Sequence, residues 1–232
     1  MKPSENRSAN DVRRLFTRIA NRYDVANRWI TWGQDVKWRR EVLNKAAIPM
    51  GGTLLDIGAG TGDLAIEALS RDKSLWVVGA DFTPEMMRLG RKRQDGESVR
   101  WVNTDALDLP FPSEYFDAVV SGYLLRNVVD VERTLAEQFR VLKKGGHVVC
   151  LDTTPPPDDV WHLPSRLYLR HIIPTIGWLL AGDGKAYRYL THSTEGFLRV
   201  EELAGCFLKV GFKNVHYRCF MGGVMAIHWG EK

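Results

Sequence analysis

Short apolar segments alternate with segments of helical periodicity along the middle of the chain. The apolar segments are TLLDIG at 53–58, WVVGAD at 76–81, VRWVNTDA at 99–106, FDAVVSG at 116–122 and GGHVVCLD at 145–152. Helices are indicated at 84–93 and at 130–146, and the second is expected to stop at Gly145. This alternation predicts a doubly wound α/β fold, in which crossover helices join parallel strands.

The carboxyl-terminal part of the chain follows a different pattern. VEELAGCFLKVG at 200–211 is expected to be the last helix, and FKNVHYRCF at 212–220 with GGVMAIHWG at 222–230 predicts an antiparallel hairpin at the sheet edge. We expect one domain over residues 1–232. Residues 1–50 would form an amino-terminal helical cover, and residues 153–200 a helical lid over the substrate.

Composition and charge exclude several classes of protein. The formal net charge of +4, from 32 basic and 28 acidic residues, is too slight to indicate nucleic-acid binding unless the basic residues cluster. Cys150, Cys206 and Cys219 lack the spacing of a zinc site or a redox pair, and no metal is expected. The opening MKPSENRSAND is not a signal peptide, and no run reaches the ~20 apolar residues of a membrane span. A cytoplasmic protein is therefore expected.

An apolar stripe at helical spacing runs along the amino-terminal segment. Its members are Val12, Leu15, Phe16, Ile19 and Tyr23, while Arg13, Arg14, Arg18 and Arg22 fall mainly on other faces. This helix either docks on the core with a solvated basic face or contacts anionic lipid headgroups.

A second apolar segment, IIPTIGWLLAG at 172–182, is interrupted by Pro174 and Gly177 and has basic residues on both sides. It is too short to span a membrane. It is either a buried lid helix or an access path for an isoprenoid tail, with its basic flanks against lipid headgroups.

One loop indicates the kind of ligand. The strand LLDI contains Asp56, and three glycines follow it at alternate positions, Gly58, Gly60 and Gly62. This spacing lets the backbone approach a ligand at the start of a helix. The dinucleotide fingerprint GxGxxG would require glycine where Asp63 stands, and the phosphate loop GxxxxGK[ST] is missing from the sequence. The loop therefore argues against NAD, FAD, ATP and GTP.

The next two strands also end in acidic residues. Asp81, followed by Phe82, lies where a carboxylate accepts two ribose hydroxyls. Asp105 can accept the exocyclic amine of adenine, and its small neighbour Ala106 leaves room for the ring. Each acid alone is also consistent with a helix cap or a loop contact with solvent. Together with Asp56, they favour an adenosine compound.

The blocks DIGAGTGD, VVGAD, NTDALDLPF and LKKGGHVV, within 52–152, resemble class I S-adenosylmethionine-dependent methyltransferases. More narrowly, FTRIANRYDVANRWITWGQDVKWRR, GYLLRNVVDVERTLAEQFRVLKKGG, AGDGKAYRYLTHS and GGVMAIHWG resemble the ubiquinone/menaquinone biosynthesis C-methyltransferase family over nearly the whole chain. The resemblance implies a Rossmann-like fold, with a seven-stranded, mostly parallel sheet, helices on both faces and a terminal antiparallel hairpin. It also implies S-adenosyl-L-methionine as the cofactor and a polyprenylated hydroquinone, above all demethylmenaquinol, as the acceptor.

The resemblance places the cofactor contacts at the strand ends and in the amino-terminal segment. The residues implied are Tyr23, Asp56, Gly58, Gly60, Thr61, Asp81, Phe82, Asp105, Ala106, Ser121 and Gly122. Thr61 would lie against the amino-acid part of the cofactor, Asp81 would hold the ribose, and Asp105 with its neighbour would frame the adenine.

Further roles follow from the same resemblance. Asp56 would support the loop, Tyr23 would cap the cofactor, and Ser121 with Gly122 would pass beside the methyl donor. The family often has serine where Gly122 stands, which makes Ser121 the alternative for that contact. A second departure is LDTTPPP at 151–157, where relatives carry an acid, an aromatic residue and fewer prolines.

A reduced quinone attacks a methyl group more readily when its neighbouring hydroxyl is deprotonated, and an unperturbed phenol has a pKa near ~10. Arg126 cannot accept that proton, but it could stabilise the oxyanion. Asp152 could receive the proton through water, with His171 and Tyr187 as weaker alternatives. Helix caps, polar contacts and core packing would explain the last three residues equally well.

Three alternative functions and two further interactions are consistent with the sequence. The acceptor could be another small aromatic or lipid compound. The protein could be a short NAD-dependent oxidoreductase, against which GxGxG and the lack of a YxxxK pair count, or a non-catalytic adenosine-binding module. Beyond the polyprenyl hydroquinone, peripheral contact with the inner membrane face and a homodimer are expected, and no nucleic acid.

Overall fold

The computed structural model describes residues 14, 17, 18, 20, 25–157, 162–181 and 184–232. The strands are β1 (Thr53–Ile57), β2 (Trp76–Asp81), β3 (Arg100–Asn103), β4 (Phe116–Gly122), β5 (Leu142–Thr153), β6 (Lys213–Phe220) and β7 (Met225–Glu231). The helices with full bounds are α1 (Asp35–Ala46), α2 (Asp63–Arg71), α3 (Pro84–Arg91), α4 (Val131–Val141), α5 (His162–Leu167), α6 (Ile173–Ala181), α7 (Gly184–Glu195) and α8 (Val200–Val210). Residues 25–30 are also helical.

The strands form one seven-stranded sheet in the order β3-β2-β1-β4-β5-β7-β6. Strands β1 to β5 pair in parallel, and β7 runs antiparallel between β5 and β6. The predicted doubly wound sheet with a terminal antiparallel hairpin is therefore confirmed. The hairpin is inserted so that β7 pairs with the parallel sheet and β6 forms the edge.

The winding of the chain reverses at β1, which lies between β2 and β4. At such a reversal the loops that leave neighbouring strands run to opposite faces of the sheet, and a crevice opens at the carboxyl ends of the strands. The fold thus brings the loop after Ile57 and the turn after Gly122 to the same place.

Alternation along β1 builds an apolar layer on each face of the sheet. Leu54 belongs to a buried cluster with Trp38 of α1 and Ala65 of α2. Its neighbour Leu55 belongs to the opposite cluster with Leu135 of α4 and, from α8, Phe207. Helices therefore cover both faces, as predicted.

The expected helix stop at Gly145 is wrong. Helix α4 ends at Val141, and Leu142 is already extended, with φ −77° and ψ 136°, because its buried side chain joins the sheet opposite Phe116. The register then shifts so that Ala118 pairs with His147. Gly145, with φ +74°, lies in the resulting bulge and donates its N–H to the Lys232 carbonyl at 2.9 Å.

The third strand is shorter than its apolar pattern predicted. It spans Arg100–Asn103, whereas the segment 99–106 was expected to be extended. Asp105 consequently lies in a turn, where its Oδ1 accepts the N–H of Leu107 at 3.0 Å. The carboxylate is thereby oriented by its own loop and not by the sheet ladder.

The helices of residues 162–195 pack against the amino-terminal segment. The Tyr168 hydroxyl donates a hydrogen bond to the Ile30 carbonyl. Leu169 is buried, but Trp178 and Leu179 are 63% and 65% exposed, so the interpretation of 172–182 as a buried lid helix is wrong for these two residues. No helix in the described ranges is long and apolar enough to cross a membrane.

Several residues used in the sequence argument fall outside the described residues. These are Val12, Arg13, Leu15, Phe16, Ile19, Arg22 and Tyr23. Arg14 and Arg18 are described and exposed.

The close packing of α3 against the glycine loop generates a stability prediction. A Cβ on Gly90 would collide with the Trp101 ring and would lie 2.8 Å from the Thr61 carbonyl oxygen, whereas one on helical Gly205 would meet nothing within 4 Å. We expect Gly90→Ala to lower the free energy of unfolding by about 1–3 kcal/mol in urea denaturation. The control Gly205→Ala should be neutral or stabilising by up to about 1 kcal/mol. Equal effects of the two substitutions would contradict this packing.

Candidate functional site

A cavity opens at the carboxyl ends of β1, β2 and β4. It brings together nine of the predicted cofactor residues: Asp56, Gly58, Gly60, Thr61, Asp81, Phe82, Asp105, Ala106 and Gly122. Two predicted residues are not part of this group. Tyr23 lies outside the described residues, and Ser121 is buried in β4, does not line the cavity and hydrogen-bonds with Cys150.

The glycine loop takes a backbone conformation that side chains disfavour. Gly58, Gly60 and Gly62 have φ values of +69°, +56° and +84°. The N–H groups of Gly58 and Ala59 donate to the Ala80 carbonyl at 2.8 and 3.1 Å. A Cβ on Gly58 would lie 3.0 Å from the Leu124 side chain. The loop passes so closely over the ends of the strands, with positive φ at these three positions, that glycine is the residue that fits there.

Asp81 connects this loop to the end of β2. One carboxylate oxygen accepts the N–H of Gly60 at 2.8 Å, and the other accepts the N–H of Thr83 at 2.7 Å. Burial raises the pKa of Asp81, while these backbone donors favour its charged form. The side chain both positions the loop and lines the cavity.

Asp56 lies beneath the loop and carries an unsatisfied acceptor. Its Oδ2 accepts the N–H of Ala65 at 3.1 Å, whereas its buried Oδ1 has no hydrogen-bond partner among the described residues. Burial raises the pKa of Asp56 to about 7, and the nearby charge of Asp81 adds to the increase. An unpartnered buried oxygen is costly unless a ligand satisfies it, and a ligand ammonium group would do so.

The two predicted catalytic residues form a buried ion pair. Arg126 lies in the short turn Leu125–Asn127 after β4, and Asp152 lies near the end of β5. Their side chains are 4% and 3% exposed, and Arg126 Nη1 is 2.5 Å from Asp152 Oδ1. The backbone N–H of Arg126 also donates to Asp152 Oδ2 at 3.2 Å.

A second cavity adjoins the first and contains Arg126 in its wall. Both cavities are lined by Asn27 and Tyr123. The second is enclosed by the amino-terminal segment, the helices of 162–195 and the hairpin turn. Its apolar wall includes Ile30, Leu169, Ile173, Leu190, Met221, Val224 and Met225.

The weaker alternatives for the proton acceptor are not brought to these cavities. His171 is exposed and lines neither cavity. The side chain of Tyr187 lies outside the described part of the structure. His171 was placed near the site only by its position in the lid segment, and its helical turn directs it outward.

Several cavity residues were not found from the sequence. Asn27, Asp35 and Arg39 reach the first cavity from the amino-terminal segment, and Tyr123 separates the two cavities. Asn127 lines the first cavity and accepts a hydrogen bond from the Tyr189 hydroxyl at 3.2 Å. Two of the segments that carry the family resemblance, the one ending in VKWRR and the one beginning GYLLRNV, contain Arg39 and Asn127. No local pattern indicated which of their side chains face a ligand.

Comparison with known proteins identifies the family of this chain. The model of the ubiE/COQ5 methyltransferase family matches residues 2–232. The chain belongs to this family. It is 45% identical over 221 residues to ubiquinone/menaquinone biosynthesis C-methyltransferase UbiE of Desulfotalea psychrophila, covering 95% of this chain and 90% of that relative. It is 40% identical over 220 residues to demethylmenaquinone methyltransferase of Thermus thermophilus, covering 94% and 100% of the two chains.

A solved structure supports the fold of this ubiE/COQ5 family member. A methyltransferase of Thermotoga maritima, described as a possible histamine N-methyltransferase, superposes with a TM-score of 0.64 at 21% identity, covering 94% of this chain and 98% of that one. Similarity at this level concerns the fold alone. Family membership decides against the NAD-dependent oxidoreductase and the non-catalytic module.

The protein is thus an S-adenosylmethionine-dependent C-methyltransferase, and the first cavity fits that cofactor. S-adenosylmethionine carries an ammonium, a sulfonium and a carboxylate beside its adenosine. The unpartnered oxygen of Asp56 suits the ammonium, and the carboxylates of Asp81 and Asp105 line the same cavity. The described residues contain no group of three or more side chains that could hold a metal ion.

The raised pKa of Asp56 predicts a pH dependence of stability. The folded protein keeps this proton up to about pH 7, whereas the unfolded chain releases it near the ordinary aspartate pKa of 3.8. The proton on Asp56 therefore contributes fully to the free energy of unfolding below about pH 4. This contribution is lost as the pH rises to about 7, and its upper limit is about 4 kcal/mol. Between about pH 5 and pH 8, wild type should lose more unfolding free energy in urea than Asp56→Asn.

The variant Asp72→Asn serves as the control for this measurement. Asp72 is half-buried at the surface, and hydrogen bonds from Ser74 lower its pKa, so its contribution to the free energy of unfolding is lost only in acid. Its stability curve should parallel that of wild type above about pH 5. Parallel curves for wild type and the Asp56 variant would show that Asp56 is already charged in the folded protein.

Proposed function

We propose that this protein methylates a ring carbon of a polyprenylated hydroquinone, and that demethylmenaquinol is the acceptor. The observation that carries the proposal is the second cavity, which is mostly apolar and adjoins the cofactor cavity. Arg126 is the one charged residue among its described lining residues. An apolar wall suits a fused aromatic ring with its hydrocarbon tail, and a guanidinium suits the oxygen of that ring.

The cofactor roles are proposed along the first cavity. Asp81 would hold the ribose, and Asp105 with Ala106 would frame the adenine. Gly58, Gly60 and Thr61 would lie along the amino-acid part. Phe82 and Gly122 complete the wall on either side. Tyr23 is kept as the proposed cap from the amino-terminal segment.

Bound S-adenosylmethionine supplies an electrophilic methyl group on a sulfonium. Arg126 would stabilise the acceptor oxygen as it becomes anionic, because its guanidinium stays protonated and lies in a buried, water-poor wall. The ring carbon forms its bond to the methyl group while the carbon–sulfur bond breaks, and the proton from that carbon restores the aromatic ring on leaving. Burial in the cavity would align the ring with the methyl group.

Asp152 is better suited to positioning Arg126 than to accepting a proton. Its Oδ1 accepts hydrogen bonds from the Arg126 guanidinium and from the N–H of Thr153 at 2.8 Å, and its Oδ2 accepts the backbone N–H of Arg126. A carboxylate engaged at both oxygens holds the guanidinium in place. We therefore propose that the hydroxyl proton of the acceptor passes to water and not to Asp152.

Methyl-labelled S-adenosylmethionine tests the function directly. Incubation with reduced demethylmenaquinone should place the label on the ring carbon, detected by mass spectrometry. A reduced polyprenyl benzoquinone lacking that ring methyl is the competing acceptor, and the oxidised naphthoquinone is the control that should not be labelled. Absence of label from both reduced acceptors would reject the proposal. Label only on the benzoquinol would move the substrate to that ring class.

The same assay tests Arg126. Arg126→Lys keeps a charge beside Asp152 but loses the planar fork, and we expect kcat to fall about 10²–10³-fold while the cofactor Kd changes less than about threefold. Arg133→Lys, an exposed arginine on α4, is the matched control and should leave both quantities unchanged. Equal losses of kcat and cofactor affinity in the Arg126 variant would remove Arg126 from the acceptor site.

We propose further that an apolar patch beside the second cavity contacts a lipid bilayer. The patch consists of Trp29, Trp32, Leu163, Leu167, Ile172, Trp178 and Leu179, which are 45–75% exposed. Ile30, Tyr168 and Ile173 line the second cavity, and their chain neighbours Trp29, Leu167 and Ile172 are exposed. The arginines at 28, 166, 170 and 188 are exposed, lie close to these residues along the chain, and suit anionic headgroups. The homodimer expected from the sequence stays a prediction.

Vesicle flotation tests this patch. Replacing Trp178 and Leu179 together by serine removes two exposed apolar side chains, and we expect the fraction bound to anionic vesicles to fall at least about tenfold in partition coefficient. Met50→Ser, which changes a 93% exposed residue before β1, should leave binding unchanged. Binding of the double variant at the wild-type level, or no binding of wild type, would contradict the proposal.

A further inference from the structure

The charges around the cofactor cavity are strongly one-sided. The acidic residues lining it are Asp35, Asp56, Asp63, Asp81 and Asp105. Arg39 of α1 is the one lysine or arginine among the described residues that line it. Carboxylates suit the ammonium and sulfonium groups of S-adenosylmethionine, but they repel its carboxylate. Among the charged side chains that line the cavity, Arg39 is therefore the one that attracts an anionic group.

Arg39 lies at the glycine-loop end of the cavity. Its guanidinium contacts the carboxylate of Asp63, the residue after Gly62 and the first residue of α2. Of the proposed ribose and adenine contacts, Asp81 is the last residue of β2, and Asp105 lies in the turn after β3. If adenosine lies along those strand ends, the amino-acid part of the cofactor lies beside the loop, where Arg39 is.

The ion pairs of Arg39 allow one carboxylate to be exchanged for another. Asp35 holds the guanidinium from within α1 and also accepts the Thr31 hydroxyl at 3.0 Å. Asp63 has a second cation, because Arg93 Nη1 lies 2.6 Å from its Oδ1. The Arg39 guanidinium could exchange Asp63 for a ligand carboxylate, because Arg93 would still neutralise Asp63. The ion pair with Asp35 would keep the Arg39 side chain in place.

We infer that Arg39 binds the carboxylate of the cofactor's amino-acid part and makes the site selective for adenosyl ligands that carry this group. The inference rests on S-adenosylmethionine as the cofactor. It differs from a purely structural role, in which Arg39 would join α1 to α2 and affect every ligand alike.

Three ligands separate these roles in isothermal titration calorimetry. S-adenosylmethionine has the carboxylate, its decarboxylated analogue keeps the sulfonium and the amine, and 5′-methylthioadenosine lacks both the carboxylate and the amine. Wild type should bind the first about 10–100-fold more tightly than the second, as for a charge-assisted hydrogen bond. In Arg39→Met this ratio should fall to about one, through loss of affinity for S-adenosylmethionine alone.

The matched control is Arg40→Met, because Arg40 is the next residue on α1 but its side chain is 62% exposed and pairs with Glu67. It should keep the wild-type ratio. If Arg39→Met does not fold, the double variant Asp35→Asn with Arg39→Met also removes the buried acid that Arg39 neutralises within α1, and it carries the same expectation. Arg39→Lys should retain part of the ratio.

The outcomes are distinct. An equal loss of affinity for all three ligands in Arg39→Met would overturn the inference in favour of a structural link. Equal affinity of wild type for S-adenosylmethionine and its decarboxylated analogue would also overturn it, while leaving the cofactor assignment intact. Failure of wild type to bind S-adenosylmethionine would instead remove the proposed function and the inference together.

Discussion

The hydrogen bonds between the glycine loop and the end of β2 are the constraint on which the site depends. Two loop N–H groups donate to the Ala80 carbonyl, and the N–H of Gly60 donates to the Asp81 carboxylate. These bonds hold the loop in a conformation that glycine adopts easily and other residues do not. The loop then passes over Asp56, leaving one of its oxygens buried without a partner among the described residues. One set of backbone contacts thus shapes the cavity and creates its unusual carboxyl group.

The two cavities divide the electrostatic requirements of the proposed reaction. The first is lined by several carboxylates and suits a cationic sulfonium ligand. The second is mostly apolar, and its one charged lining residue in the described structure is Arg126, which is paired with Asp152. A guanidinium held by a buried carboxylate keeps its direction when an oxyanion forms, so little reorganisation is needed at that moment. Separating the charges in this way keeps the acceptor's hydrocarbon tail away from the acidic cavity.

Much of the fold follows from local patterns, because apolar alternation and glycine loops depend on neighbouring residues in the chain. The strand-end acids Asp56, Asp81 and Asp105 were predicted to meet, since parallel strands end at the same edge of a sheet. The position of Arg39 could not be predicted, because it depends on how α1 packs across the sheet. The Arg126–Asp152 pair depends likewise on the adjacency of β4 and β5. Gly145 was wrongly predicted to end a helix, because a β-bulge and a helix end both favour glycine at a position with positive φ.

The amino-terminal segment connects the two cavities, so a ligand in one cavity can affect the affinity of the other cavity for its ligand. Asn27 lines both cavities, the Ile30 carbonyl accepts a hydrogen bond from Tyr168, and Arg39 lines the first cavity from the following helix. If the cofactor carboxylate engages Arg39 as proposed, binding of the cofactor stabilises the same segment that forms a wall of the acceptor cavity. The acceptor would then meet a better-ordered wall after the cofactor has bound, which is positive coupling between the two sites. Such coupling is reciprocal, so a bound hydroquinone would strengthen binding of the methyl donor by the same factor, and it requires no contact between the two ligands.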